Sequence, residues 1–203
     1  MTDGEDLKEG IEHLYQEIRS FEDLKIPFKC VATDLISGEP VIMDKGDIRF
    51  AVRASACIPG YFPPLEYGEM ILVDGAVANN IPANLARQAA QNHVILISDV
   101  SETIHKKVEL NSVYDVIIRS ANITQYQYRK HLIKLGDIVV EHPVGNFVWY
   151  DFEQFDHLVE LGYKTTMEKM PEIEKKLKGR FFSFDNISGL IRQFIKGMEE
   201  QNG

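Results

Sequence analysis

Apolar residues recur along this chain with two different spacings, and together these predict a mixture of helices and strands. Spacings of three and four residues predict one helix over residues 5–20 and a longer one over about 109–134. Short apolar runs bounded by turn residues predict strands at 28–35, 40–43, 70–73, 93–98 and 137–141. The chain therefore has the element content of an α/β fold.

A strand, a helix and a second strand follow one another through short links between residues 70 and 98. Pro82 opens the predicted helix over 82–90, and apolar runs flank that helix on both sides. This order is typical of a βαβ unit, whose two strands are parallel. We therefore expect a mostly parallel sheet.

Turn and capping residues divide the first part of the chain. Ser37 and Gly38 separate the first two predicted strands, so we expect a hairpin there. Asp34, at the end of the first strand, is predicted to start this turn. Asp47 is predicted to cap a helix that reaches about residue 56.

The end of the chain carries an apolar stripe with helical spacing. Its members are Ile187, Leu190, Ile191, Phe194, Ile195 and Met198. We divide the chain into a main unit over residues 1–178 and an amphipathic helical tail, or the start of a linker, over 179–203. The stripe either packs on the main unit or leads into a further domain. Binding at a membrane interface is a third interpretation, but Glu199 and Glu200 depart from the basic polar face of such helices.

The charge balance narrows the classes of partner. The net charge is −9, from 22 Lys and Arg against 31 Asp and Glu. This field repels phosphate backbones and anionic lipid, so we expect no nucleic-acid partner. No apolar run reaches the ~20 residues of a transmembrane span. The first residues are acidic and therefore differ from a secretory signal. We expect a cytoplasmic or peripheral-membrane location. A targeting signal on a preceding segment is the alternative that stays open.

Candidate metal ligands are scattered along the sequence. The two cysteines and six histidines do not fall into the spacing of a metal site. We therefore expect no metal, nucleotide or haem cofactor.

The most informative short block is Asp74-Gly75-Ala76, directly after a predicted buried strand. A carboxylate at the C-terminal end of a parallel strand points into the crevice where α/β folds bind ligands. Gly75 allows a sharp turn and a close approach of a neighbouring backbone. An Asp-Gly pair that simply makes a turn is the alternative interpretation.

Longer blocks occur around this motif in a characteristic order. They are IPFKCVATDLISG at 26–38, AVRASACIPGYFPP at 51–64, LVDGAVANNIP at 72–82 and VILISDV at 94–100. This set resembles the second half of the patatin-like phospholipase domain, of the bacterial type also related to neuropathy target esterase. The resemblance is strong over about residues 20–101 and continues more weakly to about 165.

The resemblance implies both a fold and a chemistry. The implied fold is a partial α/β/α sandwich with a mostly parallel sheet, in which residues 1–178 form the C-terminal part of the domain, followed by C-terminal helices. The implied chemistry is hydrolysis of lipid acyl esters by a Ser–Asp dyad, with Asp74 as the catalytic aspartate and Gly75 and Ala76 as its supporting motif. Because a free Asp is a weak base near neutral pH, we expect either that burial raises the pKa of Asp74 or that Asp74 forms a very close hydrogen bond with the serine.

The chain also departs from the family pattern. The family's nucleophile lies in a G-x-S-x-G elbow, and a Gly-rich loop supplies the oxyanion hole. None of the serines here has a Gly both two residues before it and two residues after it. No two glycines are adjacent. We therefore expect the nucleophile in a missing N-terminal half of the domain, and we expect this chain alone to be inactive.

Three other residues and one other function stay open. Ser55 is a candidate nucleophile, although a packing or hydrogen-bonding role in a helix is the simpler interpretation. Arg53 either lines the site or makes a structural ion pair, and His93 is a candidate neighbour of Asp74. The alternative function is a non-catalytic α/β module that binds lipid or a partner chain.

Overall fold

The computed structural model describes residues 4–89, 91–101, 104, 110–145, 147 and 152–177. Within this part the chain forms six strands and six helices, separated by short 3-10 turns. The strands are β1 (Cys30–Asp34), β2 (Pro40–Met43), β3 (Leu65–Tyr67), β4 (Met70–Asp74), β5 (Leu96–Asp99) and β6 (Ile138–Glu141). The helices are α1 (Glu5–Leu14), α2 (Ile48–Ser55), α3 (Ala76–Asn79), α4 (Ala83–Ala89), α5 (Val113–Leu132) and α6 (Phe155–Leu177).

The larger sheet is antiparallel and has the strand order β2–β1–β4–β3. The links from β1 to β2 and from β3 to β4 are too short for a crossover, so each pair forms a hairpin. The central pair is β1 and β4, with Ala32 opposite Asp74. The end of β4 is therefore held against the middle of β1.

The smaller sheet contains β5 and β6, which run parallel with Leu96 opposite Ile138. The long α5 provides the crossover that a parallel pair requires. The α/β class and the helices at the C-terminal end are confirmed. The expectation of a mostly parallel sheet is not met in the described residues, because β4 pairs antiparallel with β1 and β3 and not with β5.

One helix boundary and one strand boundary differ from the expectation. The first helix ends at Leu14 and not near residue 20, because the following residues bridge to the start of α2. Ser20 pairs with Asp47, and the Ile48 amide donates to the Arg19 carbonyl at 3.1 Å. The strand expected from residue 93 begins at Leu96.

Two apolar clusters form the interior. The first joins α2 to the larger sheet, and its buried members are Phe21, Ala32, Met43, Ile48, Ala51, Ala54 and Leu72. The second joins α4 to the smaller sheet, and its buried members are Ile81, Ala83, Ile95, Ile97 and Leu132. Each sheet therefore has its own core.

Predicted turn and capping residues act as expected in the larger sheet. The Asp47 carboxylate accepts from the amides of Arg49 and Phe50 at the start of α2. Asp34 is buried, and its carboxylate accepts from Ile71 on β4 and from the Ser37 amide and hydroxyl in the turn. These hydrogen bonds lower the pKa of Asp34 to about 2.

The predicted tail over 179–203, with its stripe at 187–198, lies outside the described residues. Among the described helices, none combines the length and the apolar character needed to cross a bilayer. The described residues also contain no group of His, Cys, Asp and Glu side chains placed to hold a metal ion.

Candidate functional site

Asp74 is the last residue of β4 and follows two fully buried residues, Leu72 and Val73. These two side chains lie on opposite faces of the sheet and anchor the strand in the core, and Asp74 lies at the C-terminal end of the strand. The Asp74 amide donates to the carbonyl of Cys57 at 2.9 Å, which ties the end of β4 to the loop after α2. The position of the carboxylate is thus fixed from two sides.

The carboxylate of Asp74 is partly buried and has limited hydrogen bonding. Its Oδ1 accepts from the Ala76 amide at 2.8 Å. Burial raises the pKa of Asp74, and the Ala76 hydrogen bond opposes this rise only in part. The direction of the pKa shift agrees with the expectation from sequence.

Thr33 holds the corner that follows Asp74, and sequence reasoning missed it. Its buried hydroxyl donates to the Asp74 carbonyl at 3.1 Å and accepts from the Ala78 amide at 3.2 Å. This side chain therefore joins β1, the end of β4 and α3. A threonine inside an apolar strand offers no signal of this role, because the contact depends on the pairing of β1 with β4.

Position 75 requires a glycine because the backbone of β1 passes very close to it. A Cβ atom added there would lie 2.1 Å from the Val31 carbonyl oxygen on β1. The φ angle of Gly75 is −61°, which any residue adopts. The predicted close approach is therefore present, while the sharp turn needs no special backbone conformation at this residue.

A large cavity lies beside the Asp74-Gly75-Ala76 motif. Its volume is about 1150 Å³, and apolar side chains dominate its lining. Val77 in α3 and Ile58 in the loop after α2 form the wall next to the motif, and α5 and α6 form the far wall. The volume exceeds the ~300–1,000 Å³ typical of small-molecule sites, and its apolar surface suits a hydrocarbon chain.

One wall of this cavity is held in place by an ion cluster. Arg129 of α5 forms salt bridges with Asp99 at the end of β5 and with Glu141 at the end of β6. The Asp99 side chain is 1% exposed, and its pKa is lowered although burial alone would raise it, because Arg129 and Ser101 donate to it. This cluster fixes α5 across the two parallel strands.

In the described residues, the other sequence candidates do not form a catalytic arrangement with Asp74. Ser55 is the last residue of α2, and His93 lies before β5, where its carbonyl accepts from Arg87. Arg53 lies one turn before Cys57 and has a buried Nε atom with no hydrogen-bond partner. No ion pair of Arg53 is found within the described part of the chain.

The structure also brings together a serine and a histidine that sequence reasoning treated as unrelated. The Ser98 hydroxyl and the His142 Nε2 atom are 3.0 Å apart at the C-terminal ends of β5 and β6. The His142 Nδ1 atom is buried without a partner, so a proton on Nδ1 would have no acceptor. The favoured tautomer therefore carries its proton on Nε2 and donates to Ser98, which leaves no free base for that serine.

The chain is similar in sequence to known proteins. The family model described as patatin-like phospholipase matches residues 3–87. An uncharacterized NTE family protein of Mycobacterium tuberculosis is 42% identical over 76 residues, which is 37% of this chain and 13% of that protein. A putative patatin-like phospholipase domain-containing protein of Caenorhabditis elegans is 28% identical over 181 residues, covering 75% of this chain and 16% of its own length.

A third relative also matches most of the chain. Patatin-like phospholipase domain-containing protein 7 of Mus musculus is 25% identical over 193 residues, covering 81% of this chain and 14% of its own length. The chain thus corresponds to 13–16% of the length of these relatives. Its sequence is therefore similar to the patatin-like phospholipase family over residues 3–87, and to individual patatin-like phospholipase domain-containing proteins over longer stretches.

The pKa of Asp74 leads to a stability prediction. Because burial raises this pKa, the folded protein binds the proton more tightly than the unfolded chain, and the charged carboxylate opposes folding. Asp74→Asn keeps an acceptor for the Ala76 amide and removes the charge. We expect a larger free energy of unfolding at pH 7. This gain is lost progressively as the pH falls through the raised pKa of folded Asp74 towards about 4, the pKa of an unperturbed Asp, and it is absent below that pH.

Urea denaturation of the variant and the original chain at pH 7 and pH 3.5 measures this effect. Asp44→Asn is the matched control, since Lys29 lowers the pKa of Asp44 and no gain is expected there. A loss of stability at pH 7 in Asp74→Asn would contradict the prediction.

Proposed function

We propose that this chain provides the aspartate of a Ser–Asp dyad in a lipid acyl hydrolase, and that the nucleophilic serine lies in sequence beyond these 203 residues. The observation that carries the proposal is the partly buried carboxylate of Asp74. It lies three residues before Val77, which lines an apolar cavity of about 1150 Å³. A desolvated carboxylate next to a space for a hydrocarbon chain is what this reaction requires.

The proposed step uses Asp74 as a general base. The serine hydroxyl attacks the ester carbonyl carbon, and Asp74 takes the hydroxyl proton as the serine Oγ atom forms its bond to that carbon. When the C–O bond to the alcohol breaks, the proton passes from Asp74 to the leaving oxygen. Water then releases the acyl group by the same route, and the acid leaves as the second product.

The hydrogen bonds of Asp74 are compatible with this role. Ala76 occupies Oδ1 from the backbone and fixes the plane of the carboxylate. No described residue donates to Oδ2, which is therefore the oxygen that we assign to the serine proton. The raised pKa brings the base closer to the working pH, where proton transfer is more efficient.

The sequence that carries the remaining catalytic groups is the subject of the first experiment. The coding DNA on the 5′ side of the Met1 codon should be read for a Gly-rich loop and a G-x-S-x-G elbow. The longer protein and the 203-residue chain are then assayed with a phosphatidylcholine and with a p-nitrophenyl ester. We expect hydrolysis by the longer protein and none above buffer by the shorter chain.

Two outcomes would overturn the proposal. One is an inactive longer protein that contains the elbow and is folded. The other is hydrolysis by the 203-residue chain that survives Asp74→Asn. In that second case Ser55→Ala is the next variant, because Ser55 is the candidate nucleophile within these 203 residues.

A second candidate function rests on the cavity alone. An apolar space of this volume is able to hold an acyl chain whether or not a nucleophile is present. In this case the chain is a lipid-binding module without catalysis. Saturable binding of a fluorescent fatty acid to the 203-residue chain, together with an inactive longer protein, would favour this function over hydrolysis.

A further inference from the structure

The buried hydroxyl of Thr33 binds the backbone at residues 74–78, which we call the Asp74 corner. It donates to the Asp74 carbonyl at 3.1 Å and to the Gly75 carbonyl at 3.4 Å, and it accepts from the Ala78 amide at 3.2 Å. A hydroxyl has a single proton, so the two carbonyls share it. Thr33 is 2% exposed, and these backbone groups therefore take the place of water as its partners.

The neighbouring residues of β1 contact the Asp74 corner as well. Ala32 lies opposite Asp74 in the strand register, and the Val31 carbonyl leaves no room for a Cβ atom on Gly75. Three consecutive residues of β1 therefore lie against this corner. Strand pairing and close packing bring the two segments together, and the Thr33 hydroxyl adds direction, because a hydrogen bond depends on angle as well as distance.

Thr33 acts on the carboxylate of Asp74 through the backbone. The Oδ1 atom of this carboxylate accepts from the Ala76 amide at 2.8 Å. The Thr33 hydroxyl binds carbonyls before Ala76 and the Ala78 amide after it, so it fixes the backbone on both sides of the Ala76 amide. The Asp74 amide is held separately by the Cys57 carbonyl at 2.9 Å. These hydrogen bonds together orient the carboxylate.

We propose that Thr33 is a positioning residue for Asp74, and that its hydroxyl, not the packing of its methyl group, orients the carboxylate towards the proton that it accepts. The catalytic part of this inference rests on the proposed function, in which Asp74 is the general base. The geometric part stands without it, because the hydrogen bonds of the Asp74 corner lie within the 203-residue chain.

A role of Thr33 in packing alone predicts a different order of variants. Thr33→Val keeps the shape of the side chain and removes the hydroxyl, whereas Thr33→Ser keeps the hydroxyl and leaves a void where the methyl group was. Packing alone makes the valine harmless and the serine costly. A positioning role of the hydroxyl reverses this order, because the valine leaves a buried backbone carbonyl without its donor.

Hydrogen exchange of the Ala76 amide in the 203-residue chain tests the geometric part. We expect Thr33→Val to speed this exchange by about tenfold, because the amide loses its fixed acceptor, and Thr33→Ser to keep it within about threefold of the original. Thr33→Ala and Thr33→Ser both lack the methyl group, so this pair measures the effect of the hydroxyl a second time. The amides of β2 report whether each variant is folded.

Thr165→Val is the matched control for the loss of a hydroxyl. The Thr165 hydroxyl is partly buried and donates to the Leu161 carbonyl at 2.8 Å, so this substitution also removes a hydrogen bond to the backbone, but within α6. We expect the exchange of the Ala76 amide to be the same in this variant as in the original chain.

Three outcomes of the exchange experiment would overturn the proposal. The first is fast exchange of the Ala76 amide in the unmodified chain. The second is exchange in Thr33→Val that is as slow as in the original. The third is loss of the folded state in both Thr33→Val and Thr33→Ala, which would assign the hydroxyl to folding and not to positioning.

Initial rates of the longer protein test the catalytic part. We expect Thr33→Val to lower kcat for a p-nitrophenyl ester by about 10–100-fold, because a displaced base slows proton transfer, and to leave KM within about twofold. Thr33→Ser should restore most of kcat. A raised KM with unchanged kcat in Thr33→Val would place the effect in substrate binding and contradict the positioning role.

The two experiments separate this inference from the proposed function. If a folded longer protein is inactive, Asp74 loses its role as a base, and the exchange experiment still decides whether Thr33 orients the carboxylate. If the longer protein is active and its kcat depends on Asp74 but not on the Thr33 hydroxyl, the positioning role is overturned and the general base remains.

Discussion

In the longer protein that we propose hydrolyses esters, Asp74→Asn is expected to lower kcat/KM by about 10²–10⁴-fold, the usual contribution of a general base. The amide is nearly identical in shape and still accepts from the Ala76 backbone, but it cannot take the serine proton. The loss is therefore expected in the chemical step, with binding of the acyl chain in the cavity unchanged.

The measurement is a set of initial rates with one phospholipid and one p-nitrophenyl ester across a range of pH. Asp44→Asn is the control, because this exposed carboxylate on the far side of the hairpin pairs with Lys29. Activity in Asp74→Asn within a factor of about three of the original would contradict the role of general base. A loss of activity together with the higher stability expected at pH 7 would separate a catalytic from a structural cause.

Gly75→Ala is expected to have the largest effect on folding. The added Cβ would lie 2.1 Å from a backbone oxygen of β1, and a backbone atom in the centre of a sheet does not move as the tip of a side chain does. We expect a destabilisation of about 3 kcal/mol, at the upper end of the range for overpacked sites, or failure to accumulate as folded protein.

Thermal or urea denaturation of the 203-residue chain checks this value. Gly10→Ala is the matched control, because Gly10 lies inside α1 and an added Cβ meets nothing within 4 Å. There the substitution should stabilise the chain by about 0.5–1 kcal/mol through helix propensity. A Gly75→Ala protein as stable as the original would mean that β1 and β4 are not as close as described.

Local features of the fold were predictable because their causes are local. Asp47 caps α2 through side-chain bonds to amides two and three residues ahead, and Asp34 closes its own turn. A short-range pattern is enough to recognise such residues. Strand direction was not predictable in the same way, since the partner of β4 is chosen by hairpin links and core packing far along the chain.

The same distinction applies to the candidate site. The Asp74-Gly75-Ala76 block was visible because it is contiguous in sequence and carries the family resemblance. Thr33 and the pair formed by Ser98 and His142 were not visible, because each contact joins strands separated by 40 residues or more. These contacts follow from strand register, which the sequence pattern alone does not define.

The separation of the two sheets has a consequence for cooperativity. The larger and smaller sheets share no strand, and each is packed on its own apolar cluster. Breaking the hydrogen bonds between β5 and β6 therefore does not require β1 and β4 to separate. Local opening of β5, β6 and α5 would therefore leave the hydrogen bonds of the segment that bears Asp74 intact, so the α5 wall of the cavity and the candidate aspartate belong to separately packed units.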